Sequence, residues 1–195
     1  MELALAVSAE QADQLLAFKR LLAKWNRVYN LTSIDRPEEM VRLHLLDSLA
    51  IHPYLKGQRI LDVGTGAGLP GIPLAIVNPN REFVLLDSNS KKTRFVTQAA
   101  IELGLKNVSV AHARIEQYRP EQGFDMVMCR AFASLADIVA GTARLLNAGG
   151  SILAQKGKLQ SAELGEVEGV EFQAYSLRVP GLDAERHLVA ITVRG

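Results

Sequence analysis

The sequence is poor in features that would place it in a special class of protein. It has a single cysteine, Cys129, which excludes a disulfide framework or an all-cysteine zinc site and favours a reducing compartment. It has no apolar run near the roughly 18 residues that a membrane-spanning helix needs. Residues 1–7 lack the positive region and the length of a secretory signal. These absences predict a soluble, cytoplasmic protein.

Neither sign of charge dominates. The chain has 22 Lys and Arg residues against 21 Asp and Glu residues, a formal net charge of +1. This balance excludes a wholly basic, histone-like nucleic-acid binder, but not a protein that gathers its basic residues on one face. With 195 residues, of which 48% are hydrophobic, the chain is long and apolar enough for one domain with a small appendage.

The pattern of apolar residues changes at residue 57. Before it, the spacing predicts only helices, one beginning after Ser8 and a second beginning at Pro37. After it, short apolar segments alternate with helical ones, which is typical of βαβ units and a mostly parallel sheet. Strands are predicted over residues 59–63, 82–86, 108–111, 124–129 and 151–155, and helices over residues 90–103 and 135–146.

The last part of the chain departs from that alternation. Gly149 and Gly150 are typical of a helix stop, and residues 172–179 and 187–193 are close enough to form an antiparallel hairpin. We therefore predict an α/β fold: a doubly wound, Rossmann-like, mostly parallel sheet with an antiparallel C-terminal strand. This unit would cover residues 58–195, and residues 1–57 would form an N-terminal helical cap.

A glycine-rich turn, LDVGTGAGLPG at residues 61–71, follows the first predicted strand. In a parallel α/β sheet such a turn lies at the carboxyl edge, where ligands bind. Gly64, Gly66 and Gly68 would let the backbone turn tightly and approach a ligand closely. The turn therefore predicts a nucleotide-like cofactor, although it could also be a simple strand–helix connection.

Two cofactor classes fit this turn. Residues 66–71 spell G-x-G-x-x-G, as in dinucleotide-binding oxidoreductases. Asp62, however, would place negative charge near a pyrophosphate, which favours the cationic sulfonium S-adenosylmethionine. The about 140 residues from the turn onward also leave no room for a separate substrate domain. Asp87, at the end of the second strand, would accept hydrogen bonds from the ribose hydroxyls of either cofactor.

At the turn the sequence resembles the RsmG (GidB) family of 16S ribosomal RNA methyltransferases, which have the class I S-adenosylmethionine-dependent methyltransferase fold. The resemblance covers essentially the whole chain in the right order. The sequence departs from the family pattern at two places. Ala67 stands where many relatives have proline, and residues 154–157 lack the leucine that often precedes the lysine. The matching segments are residues 24–33, 44–48, 61–73, 130–134 and 179–189.

The resemblance implies a reaction, a cofactor and a partner. The reaction is methyl transfer from S-adenosyl-L-methionine to N7 of guanine 527 (standard rRNA numbering) of 16S rRNA, with S-adenosyl-L-homocysteine as the second product. The partner is 16S rRNA or the assembling small ribosomal subunit, and neither a metal nor a membrane is implied. The implied cofactor contacts are Gly64, Leu69, Ile115, Glu116 and Arg130, to which the fold argument adds Asp62, Gly66, Gly68 and Asp87.

The chemistry of that reaction requires no general base, and we assign no residue a certain catalytic role. N7 of guanine carries a lone pair and no proton, so an in-line displacement can proceed by positioning and electrostatics without a general base. No Ser/His/Asp set or metal-binding pair stands out in the sequence. Cys129 could serve as a nucleophile, but its place at the end of an apolar strand favours a small packed residue.

Several basic residues are candidates for orienting the substrate. Arg130 and Lys156 lie at or just beyond strand ends, where they would hold a phosphate or the base, although Lys156 could equally serve solubility. Lys91 and Arg94, with Lys92 between them, open a helix, where cations oppose the helix dipole unless an anion is near. We hypothesise that this cluster contacts rRNA. The basic residues of the first helix are interpreted as a solvated face.

Other candidates have both a structural and a substrate-side interpretation. His44 and Asp47 lie three residues apart on one helix face, so they could tie the cap to the sheet or form the lip of the site with Asn30 and Thr32. His187 is either an edge histidine or a substrate-side group.

We expect a monomer. The alternative functions are a methyltransferase acting on a small molecule or a protein, and an NAD-binding oxidoreductase or sensor.

Overall fold

The computed structural model describes residues 5–130, 134–159, 167 and 169–193, and in these ranges the chain builds one seven-stranded sheet of order β3-β2-β1-β4-β5-β7-β6. The strands are β1 Arg59–Val63, β2 Glu82–Asp87, β3 Val108–His112, β4 Phe124–Arg130, β5 Leu146–Lys156, β6 Val170–Leu177 and β7 Arg186–Val193. The α-helices are α1 Ala9–Tyr29, α2 Pro37–Met40, α3 Asp47–Leu49, α4 Gly71–Val77, α5 Ser90–Glu102 and α6 Leu135–Thr142.

The strand directions confirm the predicted architecture. β1 pairs in parallel with β2 and β4, and the parallel arrangement continues to β3 and β5. β7 alone runs antiparallel, between β5 and β6. No helix in the described part of the chain is long and apolar enough to cross a membrane.

The central strands β1, β2 and β4 are buried on both faces of the sheet, as their apolar sequences predict. Successive residues of β2 contribute to opposite layers: Phe83 and Leu85 pack in one core cluster, and Val84 and Leu86 in the other. Apolar side chains therefore cover both faces of β2. Polar side chains can gather at the carboxyl ends of the strands.

Helix α1 packs on the α4–α5 layer of the domain. It begins at a capping box in which Ser8 and Gln11 satisfy each other's backbone N–H groups. Its buried Phe18 lies with its ring centre 6.2 Å from that of Phe95 on α5. Gln11 also donates to the Ile76 carbonyl of α4 at 3.2 Å. The cap therefore shares one apolar core with the sheet.

The second predicted helix is interrupted. It begins at Pro37 as expected, but a π-helical turn, Val41–Leu46, separates α2 from α3, and α3 ends at Leu49. A short 3-10 turn, His52–Tyr54, then leads to β1. Extra residues in a π turn change the direction of the side chains that follow it, and such turns are frequent at functional sites.

The predicted helix over residues 135–146 was wrong at its end. Helix α6 stops at Thr142, a 3-10 turn covers Ala143–Leu145, and β5 begins at Leu146. Gly149 and Gly150 lie inside β5, next to a shift in register between Phe124 and Met126 of the neighbouring β4. The two glycines therefore belong to an irregular strand, where Gly149 has a φ of 75°, and not to a helix stop.

Candidate active site

The glycine turn joins β1 to α4 at the carboxyl edge of the sheet. Gly64, Gly66 and Gly68 have φ angles of 67°, 59° and 78°, in the left-handed region that glycine adopts without strain. A Cβ on Gly68 would lie 2.7 Å from Cγ1 of Ile72 on α4. Glycine is therefore required in this turn both for its conformation and for close packing.

Asp62 supports the turn from inside the sheet. Its fully buried side chain accepts hydrogen bonds at Oδ2 from Thr65 Oγ1 at 2.7 Å and from the Gly71 N–H at 3.0 Å. Its Oδ1 has no hydrogen-bond partner within the described residues. Burial raises the pKa of Asp62 to about 7, against the opposing effects of these hydrogen bonds and of the Arg130 charge. Asp62 therefore acts on the site by fixing the shape of the turn.

Asp87 ends β2 and faces the turn from the neighbouring strand. Its Oδ2 accepts a hydrogen bond from the Gly66 N–H at 2.8 Å, and its Oδ1 accepts one from the Asn89 N–H at 2.8 Å. A carboxylate oxygen can accept more than one hydrogen bond. The side chain can thus lock the turn and still accept hydroxyl hydrogen bonds from a ligand.

A cavity of about 370 Å³, which we name the glycine-turn cleft, lies beside these residues. Four predicted cofactor residues from three chain segments come together in it: Gly64, Asp87, Ile115 and Glu116. The remaining lining residues are Val63, Leu86, Ser88, Lys92, Ala113 and Arg114. The cleft is therefore built where β1, β2 and the loop after β3 end.

The loop with Ile115 and Glu116 is held from outside the cleft. Arg144 donates to the carbonyls of Ile115 and Tyr118, and Arg119 donates to the Glu116 carbonyl at 2.7 Å. These bonds fix the backbone of the loop, so its side chains can face the cleft in a defined arrangement.

Five of the residues predicted to bind the cofactor do not line this cleft. Asp62 is buried behind the turn, and Arg130 lines a second cavity that is described below. Gly66 donates its N–H to Asp87, Gly68 packs against Ile72, and the Leu69 side chain is only 3% exposed in the core. Gly66, Gly68 and Leu69 therefore shape the turn and pack it against its surroundings, and they do not line the cavity.

A second cavity, of about 380 Å³, lies where the helical cap meets the ends of β4, β5 and β7. We name it the cationic cleft because the described residues of its lining include three basic side chains and one carboxylate, a balance that favours an anionic ligand. Its lining residues are Thr32, Ser33, Ile34, Leu43, His44, Asp47, Arg130, Gln155, Lys156, Gly157 and Arg186. Five predicted substrate-orienting residues therefore meet here: Thr32, His44, Asp47, Arg130 and Lys156.

Asp47 is the centre of the hydrogen bonds in this cleft. Its Oδ1 accepts from Arg186 Nε at 2.9 Å, and its Oδ2 accepts from Arg130 Nη1 at 3.4 Å. Gln155 Nε2 donates to the Asp47 backbone carbonyl at 2.9 Å. The Asp47 side chain is 5% exposed, whereas those of Arg130 and Arg186 are 23% and 21% exposed. The buried carboxylate thus binds two arginines whose side chains are partly exposed.

The π turn contributes to this arrangement. The Asp47 N–H donates to the carbonyls of Arg42 and His44, and not to that of Leu43, which an α-helix would use. The Leu43 carbonyl accepts a hydrogen bond from Arg130 Nη1 at 3.3 Å. The irregular helix therefore presents both a side chain and a backbone acceptor to the same arginine.

His44 is a neutral member of the cleft. Its Nδ1 lies 3.1 Å from the Leu43 carbonyl and its Nε2 lies 2.9 Å from Thr32 Oγ1. Burial lowers its pKa to about 4, and the charge of Arg130 acts in the same direction. The hydrogen-bond pattern places the proton on Nδ1, so that Nε2 accepts the Thr32 hydroxyl and the loop after α1 is fixed to the cap.

Four predicted residues lie outside both clefts. Asn30 ends α1 in the left-handed conformation, with a φ of 51°. His187 Nδ1 lies 3.0 Å from the Gly157 carbonyl, at the margin of the cationic cleft. Lys91 and Arg94 are exposed on α5.

Sequence reasoning missed two residues of the cationic cleft, Arg186 and Gln155. Their bonds to Asp47 span 139 and 108 residues along the chain, so no local pattern could reveal them. Lys92 was recognised only as one of a basic cluster, although it lines the glycine-turn cleft. Cys129 is 2% exposed, and burial raises the pKa of its thiol to about 12, so it is a packed residue and not a nucleophile.

The whole chain is also similar to known proteins. The family model described as rRNA small subunit methyltransferase G matches residues 11–189. The sequence is 57% identical to the Ribosomal RNA small subunit methyltransferase G of Methylococcus capsulatus, covering 100% of this chain and 95% of the relative. It is 53% identical to the protein of the same name from Shewanella amazonensis, covering 96% and 92%.

The chain belongs to the rRNA small subunit methyltransferase G family. This membership confirms the resemblance seen in the sequence and decides against the oxidoreductase interpretation of the glycine turn.

Solved structures place this member of the methyltransferase G family in the methyltransferase fold. A SAM-dependent methyltransferase from Aquifex aeolicus has a TM-score of 0.61 at 17% identity, covering 88% of this chain and 98% of that one. The O-methyltransferase TomG from Streptomyces achromogenes, solved in complex with SAM, has a TM-score of 0.58 at 17% identity, covering 99% and 93%. At such identities the likeness concerns the fold, which is the class I methyltransferase fold predicted from the sequence.

Proposed function

We propose that this protein transfers the methyl group of S-adenosyl-L-methionine to N7 of guanine 527 of 16S rRNA. The observation that carries the proposal is the neighbouring position of the two clefts. β1 and β4 are adjacent strands that pair Val63 with Cys129, so the glycine turn and Arg130 leave the sheet side by side. A cofactor site and an anion-favouring site thus share one edge.

The glycine-turn cleft has the chemistry that this cofactor needs. Asp87 keeps acceptor capacity for ribose hydroxyls, and Ile115 supplies apolar surface for a ring system. Asp62 and Asp87 lie close enough for the charge of Asp87 to raise the pKa of Asp62. The Asp87 carboxylate and the partly ionised Asp62 oppose a pyrophosphate and suit a cationic sulfonium, so the residues fit S-adenosylmethionine.

The residues that would hold the cofactor are Gly64, Asp87, Ile115 and Glu116, within a frame set by Asp62, Gly66, Gly68 and Leu69. When bound there, S-adenosylmethionine supplies an electrophilic methyl group on a positively charged sulfur. Arg130 lines the cationic cleft, where it hydrogen-bonds to Asp47, and it is close enough to Asp62 for its charge to lower the pKa of that carboxyl. This electrostatic link to Asp62, beneath the glycine turn, supports a role for Arg130 at the junction of cofactor and substrate.

The cationic cleft would take the RNA side of the reaction. Because N7 of guanine has a lone pair and no proton, the protein needs to position the base and not to deprotonate it. The methylated base gains positive charge, so Arg130 and Lys156 serve best if they hold a phosphate of the same nucleotide strand. His44 is neutral above its lowered pKa of about 4 and adds no charge near the base.

The cap of residues 1–57 and the sheet unit of residues 58–195 act as one enzyme in this proposal. The cationic cleft takes Thr32, His44 and Asp47 from the first segment and Arg130, Lys156 and Arg186 from the second. An enzyme of the small-subunit rRNA would work in the cytoplasm, where the subunit is assembled.

The test is methyl transfer to RNA from a strain that lacks the gene. Purified protein is incubated with tritiated S-adenosylmethionine and either naked 16S rRNA or immature 30S particles from that strain. We expect about one methyl group per RNA, with strand scission at guanine 527 after borohydride and aniline treatment, which reports N7 methylation. RNA from the parent strain, already methylated, is the control.

Two results would contradict the proposal. Absence of incorporation into both substrates would overturn RNA as the acceptor, and incorporation without scission at that guanine would overturn the position. Calorimetric titration with S-adenosylmethionine and with NAD tests the cofactor separately.

A further inference from the structure

We propose that Arg186 and Arg130 form a paired phosphate-binding site for the RNA substrate, and that Asp47 is the positioning residue that aligns them. This inference rests on the proposed function, since it concerns how the cationic cleft holds RNA. It adds a binding residue, Arg186, and a role for the carboxylate behind it.

The first observation is the geometry of the pair. One buried carboxylate uses each of its oxygens for a different arginine: Oδ1 for Arg186 at 2.9 Å and Oδ2 for Arg130 at 3.4 Å. The two guanidinium groups are therefore fixed side by side although they belong to β7 and β4. The side chains of Arg186 and Arg130 are 21% and 23% exposed, and both residues line the cleft.

The second observation is the donor capacity that remains. A guanidinium group has five N–H donors. Arg130 uses Nη1 for Asp47 and Leu43, and Arg186 uses Nε for Asp47 and Nη1 for the Glu185 carbonyl. Within the described part of the chain, the hydrogen bonds of Arg130 and Arg186 leave Nη2 of each available. One free Nη2 group on each of two neighbouring guanidinium groups can donate to the oxygens of one phosphodiester.

The third observation is the balance of charge. In the described lining of the cationic cleft, Arg130 and Arg186 share one carboxylate, that of Asp47, and His44 is neutral. Two like charges held together repel, and Asp47 compensates only part of that repulsion. An anionic group at the mouth of the cleft would complete the compensation, which is a reason for RNA to bind there.

The third contact of Asp47 explains why the alignment is rigid. Gln155 at the end of β5 donates to the Asp47 backbone carbonyl at 2.9 Å and is itself 3% exposed. One residue of the cap is thus fixed to the ends of β4, β5 and β7. If the cap moved relative to the sheet, both arginines would lose their common partner.

The decisive variant is Asp47→Asn, because two explanations predict opposite signs for it. If the arginines acted only as charge, removing a carboxylate would make the cleft more positive and tighten RNA binding. If Asp47 aligns them, binding weakens. We expect the Kd for naked 16S rRNA to rise about tenfold, while the Kd for S-adenosylmethionine stays within about twofold of that of the wild-type protein.

Two further variants complete the test. Arg186→Lys keeps the charge but lacks the planar pair of donors, and we expect it to weaken RNA binding about fivefold. Arg186→Gln removes the charge and should in addition lower the slope of log K against log salt by about one unit. Glu38→Gln is the control, because Glu38 is an exposed carboxylate on α2 outside the cleft, and it should change none of these values.

The outcomes separate this inference from the proposed function. Asp47→Asn or Arg186→Lys protein that binds RNA as tightly as wild type overturns the inference, and Arg186→Lys decides the matter alone if Asp47→Asn does not fold. A wild-type protein that transfers no methyl group to RNA overturns the proposed function. The binding comparison still stands in that case, because it requires no turnover. In the Asp47 and Arg186 variants, a raised KM for RNA with little change in kcat supports a role in aligning the substrate.

Discussion

The two clefts at the carboxyl edge of the sheet are built in different ways. The glycine-turn cleft depends on backbone: three left-handed glycines and a carboxylate, Asp87, that accepts hydrogen bonds from two N–H groups. The cationic cleft depends on side chains whose partners are 83 to 139 residues apart, with Asp47 between Arg130 and Arg186. The first should therefore be sensitive to shape, and the second to charge and alignment.

The largest expected effect tests shape. Gly68 and Gly104 have similar φ angles of 78° and 66°, but an added Cβ on Gly68 meets Ile72 at 2.7 Å whereas that on Gly104 meets nothing within 4 Å. Both variants to alanine adopt a strained conformation, and only Gly68→Ala also clashes. We expect losses in the free energy of unfolding of about 3 kcal/mol for Gly68→Ala and about 1 kcal/mol for Gly104→Ala, measured by urea unfolding.

Equal losses in the two variants would show that conformation alone matters at Gly68. In that case the packing of the turn against α4 would not contribute to the cleft.

The next effect tests whether the glycine-turn cleft binds the cofactor independently of the RNA side. Asp87→Asn should raise the Kd for S-adenosylmethionine about thirtyfold, because it removes a charged acceptor. Asp125→Asn is the matched control: Asp125 also accepts two backbone N–H groups, from Gln58 at 2.8 Å and Arg59 at 3.0 Å, but it lies at the opposite edge of the sheet.

Calorimetry measures both cofactor affinities, and RNA affinity should be the same in both variants. An equal loss of cofactor affinity in Asp125→Asn would mean that the effect comes from general destabilisation. Loss of RNA affinity in Asp87→Asn would mean that the two clefts are not separable.

A smaller effect concerns the pH dependence of the cationic cleft. The pKa of His44 falls from 6.5 to about 4 on folding. On acidification the unfolded chain therefore takes up a proton at His44 before the folded chain does. The stability that His44 contributes is present above pH 6.5 and is lost as pH falls towards 4. Acidification from pH 6.5 to 4.5 should therefore lower the free energy of unfolding through His44 by about 2 kcal/mol.

The His44→Gln variant should lack this part of the pH dependence when unfolding is measured across the same range. The control is Gln173→Ala, at an exposed position of β6, which removes no titrating group and should keep the wild-type slope. A His44→Gln slope identical to that of the wild-type protein would contradict the assignment of a neutral, buried His44.

The smallest effect concerns the RNA surface beyond the clefts. The double variant Lys91→Glu, Arg94→Glu should weaken binding of naked 16S rRNA about fivefold and lower the salt slope by about two units. The matched control is Lys56→Glu, Lys106→Glu, which makes the same change of charge at exposed positions on the amino edge of the sheet. Unchanged affinity and salt slope in the first variant would show that the α5 cluster is only a solvated face.

Much of the first cleft could be predicted because its determinants are local. The apolar strand before the glycines, the left-handed positions that require glycine, and Asp87 at the end of the next strand all follow from residue type and spacing. Even so, the sequence suggested a direct contact for Asp62, whereas its side chain is fully buried and bonded to Thr65 and Gly71. Burial depends on what covers a residue, and that is not visible in a local pattern.

The second cleft could be predicted only in part. Pattern reasoning found Arg130 and Lys156 from strand ends and paired His44 with Asp47 from helical spacing. It missed the π turn and the partnership of Asp47 with Arg186 and Gln155, because these depend on how distant elements pack. It also placed Gly149 and Gly150 at a helix stop, although the register between β4 and β5 places them within a strand.

The sequence by itself determined the alternation of strands and helices, the glycine turn and the family, since these are written in local spacing and residue type. The tertiary structure alone decided that a single buried carboxylate of the cap meets the ends of three strands. The physical reason is that hydrogen bonds and burial join residues over 100 positions apart, at distances that only the packed chain defines.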